Sequence, residues 1–532
     1  MPKDYSKSSR RVEILDSTLR DGAQGEGISF SVQDKLNIVR LLDDFGVSYI
    51  EAGNPSSNPK EQDFFEKVRA VSLKNAKLCA FGSTNRPNVS AEKDEGLRCL
   101  LQAQTPVVSV FGKAWDFHVH HVLGVSQAEN LEIVKGSVRF LKGQGREVIF
   151  DAEHAFDGYR NNPDYAMEVL RAAASGGADC IALCDTNGGT LPDEIRDVFS
   201  AVRKAFPDIR LAIHAHDDIG CAVASSMAAV CAGADQVQGT MVGYGERCGN
   251  TDLSILIPNL QLKCGISCDG CLSELVSVSA SVAEISNVRI RSNKPYVGKS
   301  AFAHKGGMHI DGVEKDASTF EHVKPELVGN QRRFLMSEVS GRTNILSKVR
   351  RFDSTLSKSS PEIAEIMRKV KEMEHEGFLY EGADASFELL VRRILKKEQP
   401  HFRVLLYKTV DDFPVQSGGC NACATIQIEV DGKTEITAAL GNGPVNALDI
   451  AMRRALCVFY PKLRNMHLTD FKVRVIESNS TTAAKVRVLI ESTDGRTSWT
   501  TVGASFDVID ASFQALSDSF EYILGSSQTC ES

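Results

Sequence analysis

Between Val12 and Met241 the chain repeats one alternation eight times, a short β-branched or apolar run followed by a longer amphipathic stretch. The runs are VEILDSTL (12–19), SYIEAG (48–53), KLCAFG (77–82), VVSVFG (107–112), EVIFDAEH (147–154), CIALCDTN (180–187), RLAIHAHD (210–217) and QVQGTM (236–241). Segments such as SVQDKLNIVRLLDDFG (31–46), DYAMEVLRAAASGGA (164–178) and LPDEIRDVFSAVRKAF (191–206) separate them, with apolar residues at helical spacing. Successive parallel strands need crossover helices, and eight such units predict a (β/α)8 TIM barrel. A doubly wound open sheet is the alternative that alternation alone leaves standing. At 532 residues the chain is too long for one barrel, so at least one further folding unit is expected.

A barrel of this class carries its chemistry at the C-terminal strand ends, where the βα loops converge. The polar residues collect there. Arg20, Asp21 and Gln24 follow the first run, Glu153 and His154 close the fifth, and Asp185 and Thr186 close the sixth. His214 and His216 end the seventh, and GYGERCGN, ending at Asn250, follows the eighth. His214 and His216 stand two apart on a strand, so their imidazoles share a face. With Asp21 and the amide oxygen of Asn250 they make a mixed nitrogen and oxygen set. Such a set suits a divalent cation with open positions, Mn, Mg, Co or Zn, rather than a closed thiolate site. Two hydrogen-bonded histidines in a polar barrel mouth are the plainer alternative, and four candidate ligands on one rim weigh against it. A second group, His118, His120 and His121, sits in WDFHVHHVLG with Asp116 as its nearest carboxylate. His120 and His121 read as loop residues, and His118 as a pocket contact.

A net charge of -8 with no run of five basic residues argues against nucleic acid or an anionic membrane as partner, and favours small-molecule substrates. No stretch approaches the ~18 apolar residues of a membrane span. The opening MPKDYSKSSRRVEILDSTLRDG has no apolar stretch of signal-peptide length, so a cytoplasmic address is expected, an organellar leader being the alternative. The 14 cysteines read as reduced thiols. The pairs Cys268/Cys271 and Cys420/Cys423 have CxxC spacing but lie about 150 residues apart, too far for one four-thiolate site to be the first reading.

From about residue 285 to 375 the pattern becomes irregular, closing on the helical PEIAEIMRKVKEMEHEG (361–377). An internal repeat follows: IEVDGKTEITAALGNGPVNALDIAMRRAL (428–456) aligns with IESTDGRTSWTTVGASFDVIDASFQAL (490–516). Each copy reads strand, DG turn, strand, Gly loop, helix. The expected organisation is a (β/α)8 barrel over 1–284, a linker subdomain over 285–377, and a C-terminal α+β domain over 378–532 built from the duplicated ββα unit, which can pair with a second subunit. The GNGPVNAL loop (441–448) is a weak phosphate-cradle signal.

The run LDSTLRDGAQGEGISFS (15–31), with HAHDDIGCAVASSMAAVCAGADQVQGTMVGYGERCGN (214–250), resembles the barrel acyltransferases that include 2-isopropylmalate, homocitrate and citramalate synthases. DAEHAFDGYRNNPDY (151–165), LCDTNGGTLPDEI (183–195), PYVGKSAFAHKGGMHIDGV (295–313) and PELVGNQRRFLMSEVSGRTNI (325–345) look most like the citramalate synthases. The resemblance implies Claisen-type condensation of acetyl-CoA with pyruvate, giving citramalate and CoA early in isoleucine biosynthesis. Its alternative is 2-isopropylmalate synthesis from 2-ketoisovalerate, on the route to leucine. It implies metal ligands at Asp21, His214, His216 and Asn250, Arg20 at the keto oxygen, Glu153 in the pocket, Thr186 at the keto-acid carboxylate, and His309 reaching over from the segment after the barrel. Removing the methyl proton of acetyl-CoA needs a base near working pH. His309 or Glu153 could serve, alone or through water, and the Gly-rich GGMHIDG around His309 favours it. Asp21, Gln24 and His118 complete the expected substrate contacts. The resemblance also implies that the barrel is catalytic, that the linker contributes to the active site and that the C-terminal domain is regulatory, with a homodimer and an amino-acid effector, isoleucine for a citramalate synthase. Two positions depart from the pattern. Asp217 replaces the usual Asn and places a negative charge near the metal, and Phe320 replaces a tyrosine and removes its hydroxyl.

Overall fold

The computed structural model describes residues 11–335, 345–346, 349–350, 355–357, 359–395, 399–411, 421–476, 483–495 and 497–525. The chain divides into two compact units, Met1–Phe302 with His322–Arg332, and Ala303–Glu321 with Arg333–Ser532.

In the first unit, strands β1 (Arg11–Asp16), β2 (Tyr49–Glu51), β3 (Lys77–Ser83), β4 (Val107–Lys113), β5 (Glu147–Glu153), β6 (Cys180–Asp185), β7 (Arg210–Ala215) and β8 (Gln236–Gly239) run parallel in sequential order. β1 pairs with β8 on one edge and β2 on the other, so the sheet closes into the expected (β/α)8 barrel and the open-sheet alternative falls. Several strands are shorter than the runs that announced them. β1 stops at Asp16 because the Ser17 carbonyl accepts the amides of both Arg20 and Gly22, turning the chain across the barrel mouth.

Alternation along the strands sorts side chains into two cores. Leu15, Tyr49, Cys79, Val107, Ile149, Cys180, Ala182 and Ala212 form one layer across the barrel interior. Ile14, Ile50, Ala80, Val108, Phe150, Ile181 and Ile213 join the larger cluster between strands and surrounding helices. At the N-terminal strand ends the interior is closed by charge: Arg210 donates to Glu13 (2.7 Å), the Tyr49 hydroxyl (2.9 Å) and Glu147 (2.6 Å). The first helix, Val32–Phe45, starts where Ser31 and Asp34 cap one another reciprocally, and ends at Gly46 in the left-handed region (φ 96°). A short strand, β9 (Ser267–Cys268), pairs with β1. The following residue, Asp269, is buried and accepts from Ile14 N (2.9 Å), Ser48 N (3.1 Å) and Arg11 Nη2 (2.6 Å), tying β1 to the segment entering β2.

The second unit begins with a parallel pair, β10 (Ala303–His304) and β11 (Arg333–Phe334), and the helix Gly307–Lys315 between them. Helices Pro361–His375 and Asp384–Ile394 lead to two antiparallel three-stranded sheets. These are β12 (Arg403–Asp411), β13 (Ala422–Val430) and β14 (Lys433–Gly441), then β15 (His467–Val475), β16 (Val486–Thr493) and β17 (Ser498–Ser505). The helices Pro444–Phe459 and Val508–Gly525 follow them, completing the duplicated α+β domain. Each copy holds one strand more than the repeat suggested. β12 and β15 are edge strands, largely exposed, so they lack the alternation that marks β13 with a buried residue at every second position. The first DG turn is a two-residue hairpin, with Asp431 and Gly432 both left-handed (φ 48° and 74°) between the paired Val430 and Lys433.

Two glycines of the repeat have a packing reason. A Cβ on Gly441 would stand 2.4 Å from Ala447 N, and one on Gly503, inside β17 rather than in a loop, 2.0 Å from Ala511 O. Larger residues at these two positions would force strand and helix apart. Of the CxxC pairs, Cys268 and Cys271 are free, and Cys420 lies outside the described residues.

Asp269→Ala would leave the Ile14 and Ser48 amides without acceptors, at about 1–3 kcal/mol for each buried donor. The first thermal transition of the full-length protein is expected to fall by about 5 °C or more. A scanning-calorimetry shift below about 1 °C would show that the barrel does not need this carboxylate.

Candidate active site

The turn after β1 lifts Arg20 and Asp21 to the barrel mouth, and β2 ends there on a buried acid, Glu51. Arg20, 11% exposed, donates through Nε to Glu51 (2.6 Å) and through Nη1 to Asp21 (2.5 Å), with Cζ 3.8 Å over the Phe81 ring centroid. Ser17 Oγ donates to the same Glu51 oxygen (2.7 Å). Two carboxylates and an aromatic face thus fix the guanidinium by charge-assisted and cation–π contact.

Asp21 also receives Asn250 Nδ2 (3.0 Å), and its Oδ2 lies 3.4 Å from His214 Nε2. His214 Nδ1 meets Gln238 Oε1 (3.0 Å), Gln238 Nε2 donates to Asp151 (3.3 Å), and Ser109 Oγ donates to the other Asp151 oxygen (2.8 Å). With the Gln238 amide nitrogen committed to Asp151, its oxygen faces His214. Nδ1 therefore carries the proton, and Nε2 is directed at Asp21. Asp21, His214 and His216 each bring one ligand atom within 4.8 Å of the others. His216 Nδ1 and Asn250 Oδ1 are buried without hydrogen-bond partners among the described residues. A trio of ligand atoms beside orphaned donors of the right chemistry fits a divalent cation. Gly245 makes room, since a Cβ there would stand 2.1 Å from Asn250 Nδ2.

Burial pushes the Asp21 pKa up, but Arg20, then His214 and His216, hold it well below the usual carboxylate range. Burial, then His214, lowers His216 to about 4, keeping that imidazole neutral and fit to ligate. Burial raises Asp151 to about 6, with Glu51 adding to the effect and His214 and Arg20 opposing it.

Around this cluster, Glu153 at the end of β5 stands in register with Lys113 at the end of β4 and pairs with its ammonium. Thr186 Oγ1 accepts the His154 amide (2.9 Å), and the Thr186 carbonyl accepts Arg247 Nη2 (2.7 Å). Asp185 is buried on Thr190, which donates through both N (3.1 Å) and Oγ1 (2.8 Å). His118 is half-buried, stacked on Trp115, with its pKa lowered by burial and then by His154, whereas His120 and His121 are exposed. Gln24 is exposed. Asp217 is tied into the local fold, its Oδ1 accepting Ala222 N (2.8 Å) at the start of the helix Ala222–Ala232. In the second unit His309 is exposed on Gly307–Lys315, its ring stacked 4.1 Å from Phe320. Phe320 keeps an aromatic face against His309 and lacks a phenolic hydroxyl beside it.

Glu51, Phe81, Lys113, Asp151 and Gln238 were not among the residues that sequence reasoning selected. Their signal was present: each is a polar, charged or bulky residue in or at the end of a barrel strand. Only the closed barrel reveals which of them converge.

Residues 11–282 match the HMGL-like family, 296–377 the homocitrate synthase post-HMGL domain-like family, and 381–524 the LeuA allosteric (dimerisation) domain. The chain is 50% identical to an (R)-citramalate synthase of Aquifex aeolicus, over 97% of this chain and 98% of that one. It is 48% identical to one of Geobacter sulfurreducens, over 98% and 99%. A probable 2-isopropylmalate synthase of Methanopyrus kandleri is 33% identical, over 95% and 97%. With an HMGL-like barrel, a LeuA-type C-terminal domain and end-to-end similarity to those enzymes, the chain belongs to the citramalate synthase family.

Proposed function

We propose that this enzyme condenses acetyl-CoA with pyruvate and hydrolyses the resulting thioester, releasing citramalate and CoA at an early step of isoleucine biosynthesis. The observation that carries the reading is Arg20 clamped against Asp21, which sets a guanidinium directly beside a cation-binding cluster. Asp21, His214, His216 and Asn250 would hold the cation. When bound, it would supply Lewis-acid polarisation to the acceptor carbonyl.

The chain's own groups do the rest. Arg20, unable to rotate away from Glu51 and Phe81, donates hydrogen bonds to the keto oxygen as it gains charge, a preorganised contribution typically worth about 3 kcal/mol. Thr186 holds the acceptor carboxylate, with Gln24 and His118 as further contacts at the mouth. Phe81 and Phe111, stacked 5.4 Å apart, offer beside Arg20 an apolar wall suited to a methyl group. Glu153, neutralised by Lys113, lines the pocket. His309 takes the methyl proton of acetyl-CoA, and its stack on Phe320 restricts the imidazole's orientation. The C-terminal domain binds isoleucine and assembles a homodimer, its influence on turnover being a coupling free energy.

Three outcomes follow from this reading. Pyruvate should give the highest kcat/KM in a thiol-release assay across keto acids, with 2-ketoisovalerate at least about tenfold poorer. The opposite order would make 2-isopropylmalate synthesis the activity. His214→Ala or His216→Ala should abolish turnover and weaken Mn binding to the metal-stripped protein by calorimetry, while His120→Ala and His121→Ala should change neither. Isoleucine should inhibit the full-length enzyme by about 5- to 150-fold. Calorimetry that detects no branched-chain amino acid on the intact protein would leave the domain a dimerisation module alone.

A further inference from the structure

Hydrolysis of the condensed thioester needs a group that activates water, and the residues assigned so far have other tasks. Asp21, His214, His216 and Asn250 belong to the cation cluster, Glu153 is tied to Lys113, and His309 is assigned to the earlier removal of the methyl proton. A different imidazole on the same rim has the required architecture. His154, immediately after Glu153, is buried, and its Nδ1 is held 3.0 Å from Asp157 Oδ2. Asp157 is itself oriented by Asn187 Nδ2 (2.9 Å) and Arg160 Nη1 (3.3 Å).

Three further facts set His154 apart from a histidine packed for stability alone. Its backbone is left-handed (φ 57°), a conformation that costs a non-glycine residue of order 1 kcal/mol and is concentrated at functional positions. Its backbone amide donates to Thr186 Oγ1, the hydroxyl assigned to the acceptor carboxylate, so the residue is anchored directly to the acceptor site. Its Nε2 has no hydrogen-bond partner among the described residues and is not among the buried orphaned atoms, with 8% of the side chain still exposed. His118 meets the ring edge-on at 4.3 Å and Trp115 at 5.6 Å, walling the imidazole on the side of the β4 loop. The His118 imidazole itself lacks such backing, its Nδ1 being buried without a partner among the described residues.

We propose that His154, backed by Asp157, is the general base that activates water for hydrolysis of the citramalyl thioester. The assignment rests on the citramalate reading above. Nε2 takes a proton from water as the water oxygen bonds to the thioester carbonyl carbon. The carbon–sulfur bond then breaks, and the departing CoA sulfur takes the proton from the imidazolium, whose charge Asp157 stabilises. One water is consumed, and citramalate, CoA thiol and the proton lost by the new carboxylic acid are released, with no change in oxidation state.

The test uses full-length enzyme loaded with Mn and supplied either with acetyl-CoA and pyruvate or with synthetic citramalyl-CoA. In His154→Asn, asparagine tolerates the left-handed backbone and preserves the amide that holds Thr186. Thiol release from citramalyl-CoA should fall by about 100-fold or more. With acetyl-CoA and pyruvate, mass spectrometry should find citramalyl-CoA accumulating on the variant and not on the wild type. Asp157→Asn, which leaves His154 in place, should reduce hydrolysis in the same direction by about tenfold or more. Hydrolysis at the wild-type rate in His154→Asn overturns the assignment, as does loss of thiol release from acetyl-CoA and pyruvate without the intermediate appearing while citramalyl-CoA is still hydrolysed. A wild-type enzyme that neither condenses pyruvate nor hydrolyses citramalyl-CoA overturns the pyruvate reading instead, and the inference with it.

Discussion

β1 is hydrogen-bonded along both edges, to β8 and to β2, and that closure decides where every charge in the barrel can go. Once the sheet has no free edge, inward side chains face one another in a space without bulk water. Polar groups there must satisfy one another or stand open for a ligand. The middle of the barrel avoids the problem with an apolar layer from Leu15 to Ala212. The two ends solve it differently: the lower end pairs Arg210 with Glu13 and Glu147, although the Gln236 amide at the start of β8 has no partner among the described residues, while the upper end retains His216 Nδ1, Asn250 Oδ1 and one oxygen of Glu51 unpaired among those residues. The upper end gathers those unpaired atoms around one cluster of ligand atoms.

The cluster at the mouth is tuned by a small set of fixed charges. Arg20 faces Glu51 and Asp21 and is near Asp151, so one guanidinium stabilises three acids in a poorly solvated site. Its position keeps Asp21 ionised, while burial and then His214 keep His216 neutral, opposite states that ligation of one cation requires. The Asp151–Gln238–His214 chain adds direction to this charge balance, since it determines which imidazole nitrogen keeps its proton.

The sequence shows those parts of the molecule that depend on local periodicity. Eight alternations announced the barrel, and the strand-end position of Arg20, Asp21, His214 and Asn250 announced the cluster, because strand ends in a barrel share one rim whatever the details. What stayed hidden depends on pairing. Glu51 looks like an unremarkable acid until β1 and β2 are side by side, and Asp151 until β5 faces Ser109 on β4 and Gln238 on β8. β12 and β15 escaped because an edge strand with an exposed face carries little alternation. Gly441 and Gly503 looked like loop glycines because sequence does not report how closely a helix backbone approaches a strand.

The Arg210 network makes the barrel a vessel with one opening. Whatever enters at the mouth has to leave by the same route, and a bulky thioester occupying that route traps any smaller molecule that went in first. On the condensation proposed above, an acceptor seated beneath the donor has to be admitted ahead of it. The plug at the far end of the barrel therefore imposes a queue at the near end, without touching any molecule that waits in it.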